Sequence, residues 1–165
     1  MGVELRPAYD RLDDVRALFA EYTAAIAGQR ADVAVCLASQ HYEEELWNLE
    51  GKYGPPGGRL YLAYLDGECA GCGALTRNGP EYAELKRLYV RPRFRGRQIG
   101  RRLVERLLAD AAGAGYRAVR LDTFPFMESA IRLYERCGFT RIGAYNDNPI
   151  ADAVFMERAL SPEGM

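Results

Sequence analysis

A long amphipathic helix set between two strands limits the folds open to this chain more than any other feature. From Gln98 to Ala114 the residues Ile99, Leu103, Leu107 and Ala111 recur every fourth position, and Val104 and Leu108 widen the apolar stripe. Gly115 is placed to end the helix. Glu81 to Val90 reads as a strand before it, and "RAVRLDT" reads as a strand after it. Two strands joined by one helix form a βαβ unit, whose strands are parallel and whose crossover is right-handed. The class is therefore α/β, with at least one parallel pair.

The remaining pattern adds antiparallel elements around this unit. "VELRP" predicts a short first strand ended by Pro7, and Asp10 is in place to cap an amphipathic helix running to about Ala27. A weaker helical pattern covers Ala38 to Leu49. "GKYGPPGGR" then stops every helix, because its prolines and glycines are incompatible with one. "RLYLAYL" and "ECAGCGALT", joined by Asp66-Gly67, predict a hairpin with a primed two-residue turn. In the strand Glu81 to Val90 the apolar positions are odd at first (Ala83, Leu85) and even later (Leu88, Val90). Such a slip signals either a β-bulge or a strand buried on both faces. Met127 to Cys137 reads as a shorter helix closed by Gly138, and "FTRIGAY" and "DAVFMERAL" as final strands separated by "NDNP".

At 165 residues, one domain is expected: an N-terminal portion over 1–58 followed by a core over 59–160. No apolar run approaches the ~20 residues of a membrane span and no leader pattern is evident, so a cytoplasmic protein is expected. Cys69 and Cys72 form a C-x-x-C, but in a strand their odd spacing predicts opposite faces. Cys36, Cys137 and the single histidine, His41, lack ligand spacing. Buried reduced thiols and no metal are expected.

Between Arg91 and Arg102 lie six arginines and two glycines with no acid among them, in a chain whose net charge is only -1. The balance disfavours a surface built for nucleic acid, although six arginines are able to follow a phosphate backbone. The run sits beyond the carboxyl end of a strand and at the start of a helix, where backbone amides and the positive helix end converge on anions. Gly96 and Gly100 permit close approach, and Arg95, Arg97 and Arg101 supply charge-assisted donors suited to a pyrophosphate. The Walker ending and the third glycine of a dinucleotide fingerprint are absent.

The segments "ELKRLYVRPRFRGRQIGRRLVERLL" and "AIRLYERCGF" resemble the GNAT superfamily of N-acetyltransferases over about Arg59 to Leu160. The resemblance implies a single-domain GNAT fold, with a mixed, mostly antiparallel, V-splayed sheet of about seven strands and flanking helices. It implies acetyl-CoA as cosubstrate, lying between the fourth and fifth strands. Leu88 and Val90 would hold the pantetheine arm and acetyl carbonyl, and the loop Arg95, Gly96, Arg97, Gln98, Ile99, Gly100 and Arg101 would wrap the pyrophosphate. Gln98 stands where many relatives have glycine, and Met127 where many have asparagine.

Acetyl transfer to an amine needs a group that takes a proton from nitrogen and one that gives a proton to the leaving thiolate. Glu84 is the candidate base; by itself it also reads as a carboxylate paired with Lys86 or Arg87. Tyr134 shares a helical face with Met127, Ala130, Ile131 and Cys137 and reads as a core tyrosine, whereas the resemblance implies the acid role. Asp122 and Thr123 end a strand near the expected cleft and either touch the acceptor or begin a turn. Cys137 with His41 lacks an orienting third group for nucleophilic catalysis. The resemblance implies that "SQHYEEELWNLEGKY", "FPFM" and "YNDNP" shape the acceptor pocket. Glu43, Glu44 and Glu45 read either as an attraction for a cationic amine or, more simply, as a solvated helix face, and Trp47 reads as core packing rather than pocket lining beside His41 and Tyr42. The expected acceptor is a small-molecule primary amine, an amino acid included. Many members of the family are dimers, so the resemblance admits a homodimer. A non-catalytic acyl-CoA sensor and a nucleic-acid module are the rival classes.

Overall fold

The computed structural model describes residues 2–39 and 41–160. The chain runs β1 (Val3–Pro7), α1 (Leu12–Ala27), α2 (Val33–Ser39), α3 (Tyr42–Leu46), α4 (Leu49–Tyr53), β2 (Arg59–Leu65), β3 (Glu68–Asn78) and β4 (Tyr82–Val90). It continues through a short 3-10 turn (Pro92–Phe94), α5 (Ile99–Gly113), β5 (Ala118–Thr123), α6 (Glu128–Arg136), β6 (Thr140–Ile142) and β7 (Val154–Ala159). The seven strands form one sheet in the order β1-β2-β3-β4-β5-β7-β6. Only β4 and β5 are parallel.

Alternation along the central strands builds a core on each face of the sheet. In β2, Tyr61, Ala63 and Leu65 join the cluster under α5 and α6, while Leu60, Leu62 and Tyr64 join the one under α1, α3 and α4. All six apolar positions of the α5 stripe are buried. The five larger ones contribute about 2 kcal/mol of transfer free energy each and Ala111 less, so this helix is held by its packed face more than by intrinsic propensity.

The parity slip in β4 is a bulge. Cys72 pairs with Tyr89 and Ala74 with Lys86, so Arg87 and Leu88 together oppose Gly73. Arg87 adopts a left-handed φ of 59°. The slip puts Ala83 and Leu85 before it, and Leu88 and Val90 after it, against the same core. Gly71 is required beside the bulge, because a Cβ there would lie 2.5 Å from the Tyr89 carbonyl oxygen.

Several local expectations change. The first helix starts from Arg11 without a side-chain cap, so Asp10 does not cap it. The weak pattern over 38–49 becomes separate short helices, interrupted at His41, whose φ is 55°, and at Asn48; Gln40 lies outside the described residues. The C-x-x-C also departs from simple alternation. A register shift between Ala63 and Tyr64 pairs them with Gly71 and Cys69, which leaves Ala70 extra. Cys69 and Cys72 therefore pack on the same cluster rather than on opposite faces. All four cysteines are free thiols. "FTRIGAY" supplies only a three-residue strand, because Asn146 and Asn148 accept main-chain N–H bonds from Asn148 (3.0 Å) and Ile150 (2.9 Å) and coil the chain into a loop. No helix among the described residues is long and apolar enough to cross a membrane.

Candidate active site

The two parallel strands pair for only three residues. Tyr82, Ala83 and Glu84 face Ala118, Val119 and Arg120, and beyond that point β4 and β5 part. The bulge opens the β4 side further, leaving Leu88 without a ladder partner on either edge. A cleft fills the gap, its walls including Leu88 on β4, Asp122 and Thr123 at the end of β5, and Met127 and Tyr134 on the α6 side. Asp122 and Thr123 thus end their strand at the cleft, and Asp122 belongs to β5 rather than to the following turn. The tyrosine ring is 6% exposed and packs on Phe139 with centroids 5.7 Å apart, while its edge reaches the cleft. Tyr134 is thus a core side chain, as its helical face predicts, and it also lines the cleft. Burial pushes the phenol's pKa well above its ordinary value, so the hydroxyl remains a proton donor across the physiological range.

Past the end of β4 the chain turns through the arginine-glycine loop into α5. Arg95 is exposed and its Nε donates to the Val90 carbonyl at 3.1 Å. Gly96 has φ 81° with nothing within 4 Å of a would-be Cβ, so the backbone there is open to approach. Arg97 is exposed, and Gln98, at φ 64°, is the N-cap position of α5, a conformation costing a non-glycine residue on the order of 1 kcal/mol. Ile99 anchors the loop by burying its side chain. Gly100 serves packing as well as approach, because a Cβ would lie 3.1 Å from Leu133 on α6. Arg101 is exposed and pairs with Glu105 at 3.1 Å. The first turn of α5 contains no acid, so its amides face the loop with their positive end uncompensated by the helix itself. Arg91 and Arg93 are taken up elsewhere, by Glu21 (2.8 Å) and Glu68 (2.8 Å).

A second, wider cavity of about 470 Å3 adjoins the first. The two share Lys86, Asp122 and Asn148. Glu84 lines the wider one and is 8% exposed. Its Oε2 accepts a hydrogen bond from the Tyr145 hydroxyl at 2.6 Å, and its Oε1 lies 3.8 Å from Lys86 Nζ. The pairing with Lys86 is therefore real, but it sits in a cavity wall and not on the open surface. Burial lowers the Lys86 pKa, against the opposing charge of Glu84. His41 also lines this cavity, whereas Cys137 packs by the α5–α6 core, so the two do not meet. Burial raises the Cys137 thiol, which is the opposite of nucleophile activation.

The specific contacts of four residues, Tyr145, Asn146, Asn148 and Glu45, were not read from the sequence, although the segments that contain them were assigned to the acceptor pocket. Tyr145 reads as the end of a strand, yet it reaches across the loop to Glu84. Asn146 and Asn148 donate to Asp122 Oδ2 at 2.9 and 3.1 Å, so the same loop orients both strand carboxylates; repeated Asn at i and i+2 is the local signal for such a turn. Glu45 is not solvated. It is 4% exposed and accepts bonds from Arg87 Nε and Nη2 (2.9 Å each), Lys52 Nζ (2.9 Å) and the Tyr53 hydroxyl (2.7 Å). α3 and α4 are thereby tied to the bulge residue. Tyr42 is buried, while Trp47 is 75% exposed beneath the Arg16 guanidinium rather than in the core.

The sequence model of the acetyltransferase (GNAT) family matches residues 13–139, which include the bulged strand, the arginine-glycine loop and the tyrosine helix. The chain belongs to this family. An uncharacterized N-acetyltransferase of Schizosaccharomyces pombe is 36% identical over 152 residues, covering 91% of this chain and 89% of its own length. An acetyltransferase from Streptococcus agalactiae superposes with a TM-score of 0.78 at 23% identity, over 97% of this chain and 99% of its own. A GNAT family acetyltransferase from Elizabethkingia anophelis with acetyl-CoA bound superposes with a TM-score of 0.55 at 24% identity, over 63% of this chain and 77% of its own. This GNAT acetyltransferase thus shares the fold in which the cleft between β4 and β5 is built.

Proposed function

We propose that this GNAT member transfers acetyl from acetyl-CoA to a primary amine of a small molecule, directly and without an acyl-enzyme. The observation that carries the proposal is the pair of adjoining cavities that share three wall residues: one between the splayed strands, lined by Tyr134, and one lined by Glu84. The first is assigned to the thioester end of acetyl-CoA, with the rest of the cofactor along the arginine-glycine loop. The α5 amides and the arginine rim suit its pyrophosphate, and the bulged backbone at Leu88, with Val90, suits the pantetheine arm and the thioester carbonyl. A backbone donor at that carbonyl would also stabilise the tetrahedral oxyanion.

The amine enters as an ammonium and gives one proton to Glu84. The neutral nitrogen attacks the thioester carbonyl, the C–N bond forms, and the C–S bond breaks as the intermediate collapses. Tyr134 gives its proton to the departing sulfur and regains one from solvent. The nitrogen loses its second proton as the amide forms, so each turnover releases CoA thiol and one net proton.

Glu84→Gln keeps the Tyr145 contact in shape but removes the base. We expect kcat/KM for the acceptor to fall roughly 10- to 100-fold, recovering in part at higher pH as more of the amine is already neutral. The rate of CoA thiol release against pH checks this. An unchanged rate and profile would remove Glu84 from the chemistry.

A further inference from the structure

The carboxylate assigned above as the base stands in a row of charges that crosses the sheet. Glu84 on β4 is in register with Arg120 on β5, and Arg120 is in register with Glu157 on β7, so the three side chains share one face. One guanidinium thus has an acid on either side. On the acetyl-transfer reading, we propose that Glu157 is a positioning residue: it holds Arg120 away from Glu84 and so leaves Glu84 to act as the proton acceptor.

The contacts show which acid takes the arginine. Arg120 Nε donates to Glu157 Oε1 at 2.8 Å, and its guanidinium lies 3.6 Å from the centroid of the Tyr82 ring. Tyr145 touches both ends of the choice. Its ring centroid is 5.5 Å from the same guanidinium, while its hydroxyl donates to Glu84 Oε2 at 2.6 Å. Phe155, two residues before Glu157 on β7, packs edge-on against Tyr145 with centroids 5.4 Å apart. The cross-strand cation is thereby taken by β7, and Glu84 accepts its hydrogen bond from a neutral phenol.

A guanidinium bonded to Glu84 would end its use as a base in two ways. The positive charge favours the ionised carboxylate over the protonated one, which makes it a poorer proton acceptor. The N–H fork also occupies the lone pairs that the ammonium of the acceptor has to reach. The Arg120–Glu157 pair itself has 22% and 28% of its side chains exposed, so it contributes little to folding stability. Its effect lies in where it directs the arginine.

The test is Glu157→Gln, which removes the charge at nearly the same size and makes Glu84 the stronger partner for Arg120. In a crystal structure of this variant, Arg120 should bond to Glu84 at about 3 Å. CoA thiol release is measured with ethanolamine, putrescine, L-serine and L-aspartate as acceptors. We expect kcat/KM for the acceptor to fall about 10-fold or more, with the acetyl-CoA KM within about twofold of the unaltered protein. Adding Arg120→Met should restore the rate to within about threefold, a recovery that damaged packing does not give. In a Glu84→Gln background, Glu157→Gln should change nothing further. Arg120 staying off Glu84 in the crystal, an unchanged rate, or a loss that Arg120→Met does not reverse overturns the role of Glu157 and leaves the base standing. A Glu84→Gln variant as fast as the unaltered protein removes the base, and this proposal with it. With no transfer to any of the four amines, the position of Arg120 in the variant crystal decides alone.

Discussion

Tyr134→Phe is expected to lower kcat by about 100-fold or more while leaving the acetyl-CoA KM within about twofold. The ring is buried against Phe139 and in the core of α5 and α6, so removing the hydroxyl preserves shape and packing. What is lost is the proton held at the cleft. Without it the thiolate must leave as an anion in a site where burial disfavours added negative charge, and positioned general acids typically contribute 10²- to 10⁴-fold. Burial raises the phenol pKa, so the group carries its proton across the physiological range. Steady-state kinetics on the variant, with its melting temperature as a control for folding, checks the prediction. A kcat within twofold of the original would return Tyr134 to pure packing.

The largest effect on stability is expected at Glu45. Its carboxylate holds Arg87 through two 2.9 Å bonds, with side-chain exposures of 1% and 5%, and Arg87 is itself the left-handed residue of the β4 bulge. Glu45→Ala leaves that guanidinium buried without its carboxylate. Breaking a buried pair from one side costs about 3–5 kcal/mol, or roughly 10 °C in melting temperature for a chain of this size. The same pair makes stability depend on acid. Burial by itself would raise the Glu45 pKa, but the hydrogen bonds and charge of Arg87, with Lys52, override it and hold the group at about 2 against an ordinary 4.5. A pKa depressed on folding contributes stability above the unfolded value and loses it as pH falls through the folded one. The unaltered protein should therefore lose stability between pH 4.5 and pH 2 more steeply than Glu45→Gln, as read from melting temperatures across that window. Parallel curves, or a Glu45→Ala variant melting within 2–3 °C of the original, would contradict the account.

The features legible in the sequence are those written in short-range periodicity. The α5 stripe, the Asp66-Gly67 hairpin and the slip of parity between Leu85 and Leu88 each depend on neighbours within a turn or a strand, and each stands in the structure. Positions that were misread depend on partners far along the chain. Glu45 reads as one of three solvated acids because its partner Arg87 is 42 residues away, and Tyr145 reads as strand because Glu84 is 61 residues away. The C-x-x-C misleads for a related reason. Strand parity assigns Cys69 and Cys72 to opposite faces, but the extra residue Ala70 restores them to one, and that bulge is set by pairing with β2. The cleft lies between these cases. Its walls are readable as a βαβ unit, while its depth comes from how early β4 and β5 part, a property of packing on both faces of the sheet.

The measurement that tests acetyl-CoA binding in the β4–β5 cleft most directly is thermal unfolding of the unaltered protein with acetyl-CoA, with ATP as a polyphosphate of simpler shape. At a hundredfold excess over its dissociation constant a ligand adds about 2.7 kcal/mol, which raises the melting temperature of a chain this long by roughly 5 to 10 °C. The account predicts that gain for acetyl-CoA and a clearly smaller one for ATP, because the pantetheine arm engages the β4 bulge and the phosphates alone engage only the loop. No gain, or the same gain with both ligands, would contradict it and reduce the arginine-glycine loop to a general polyanion site.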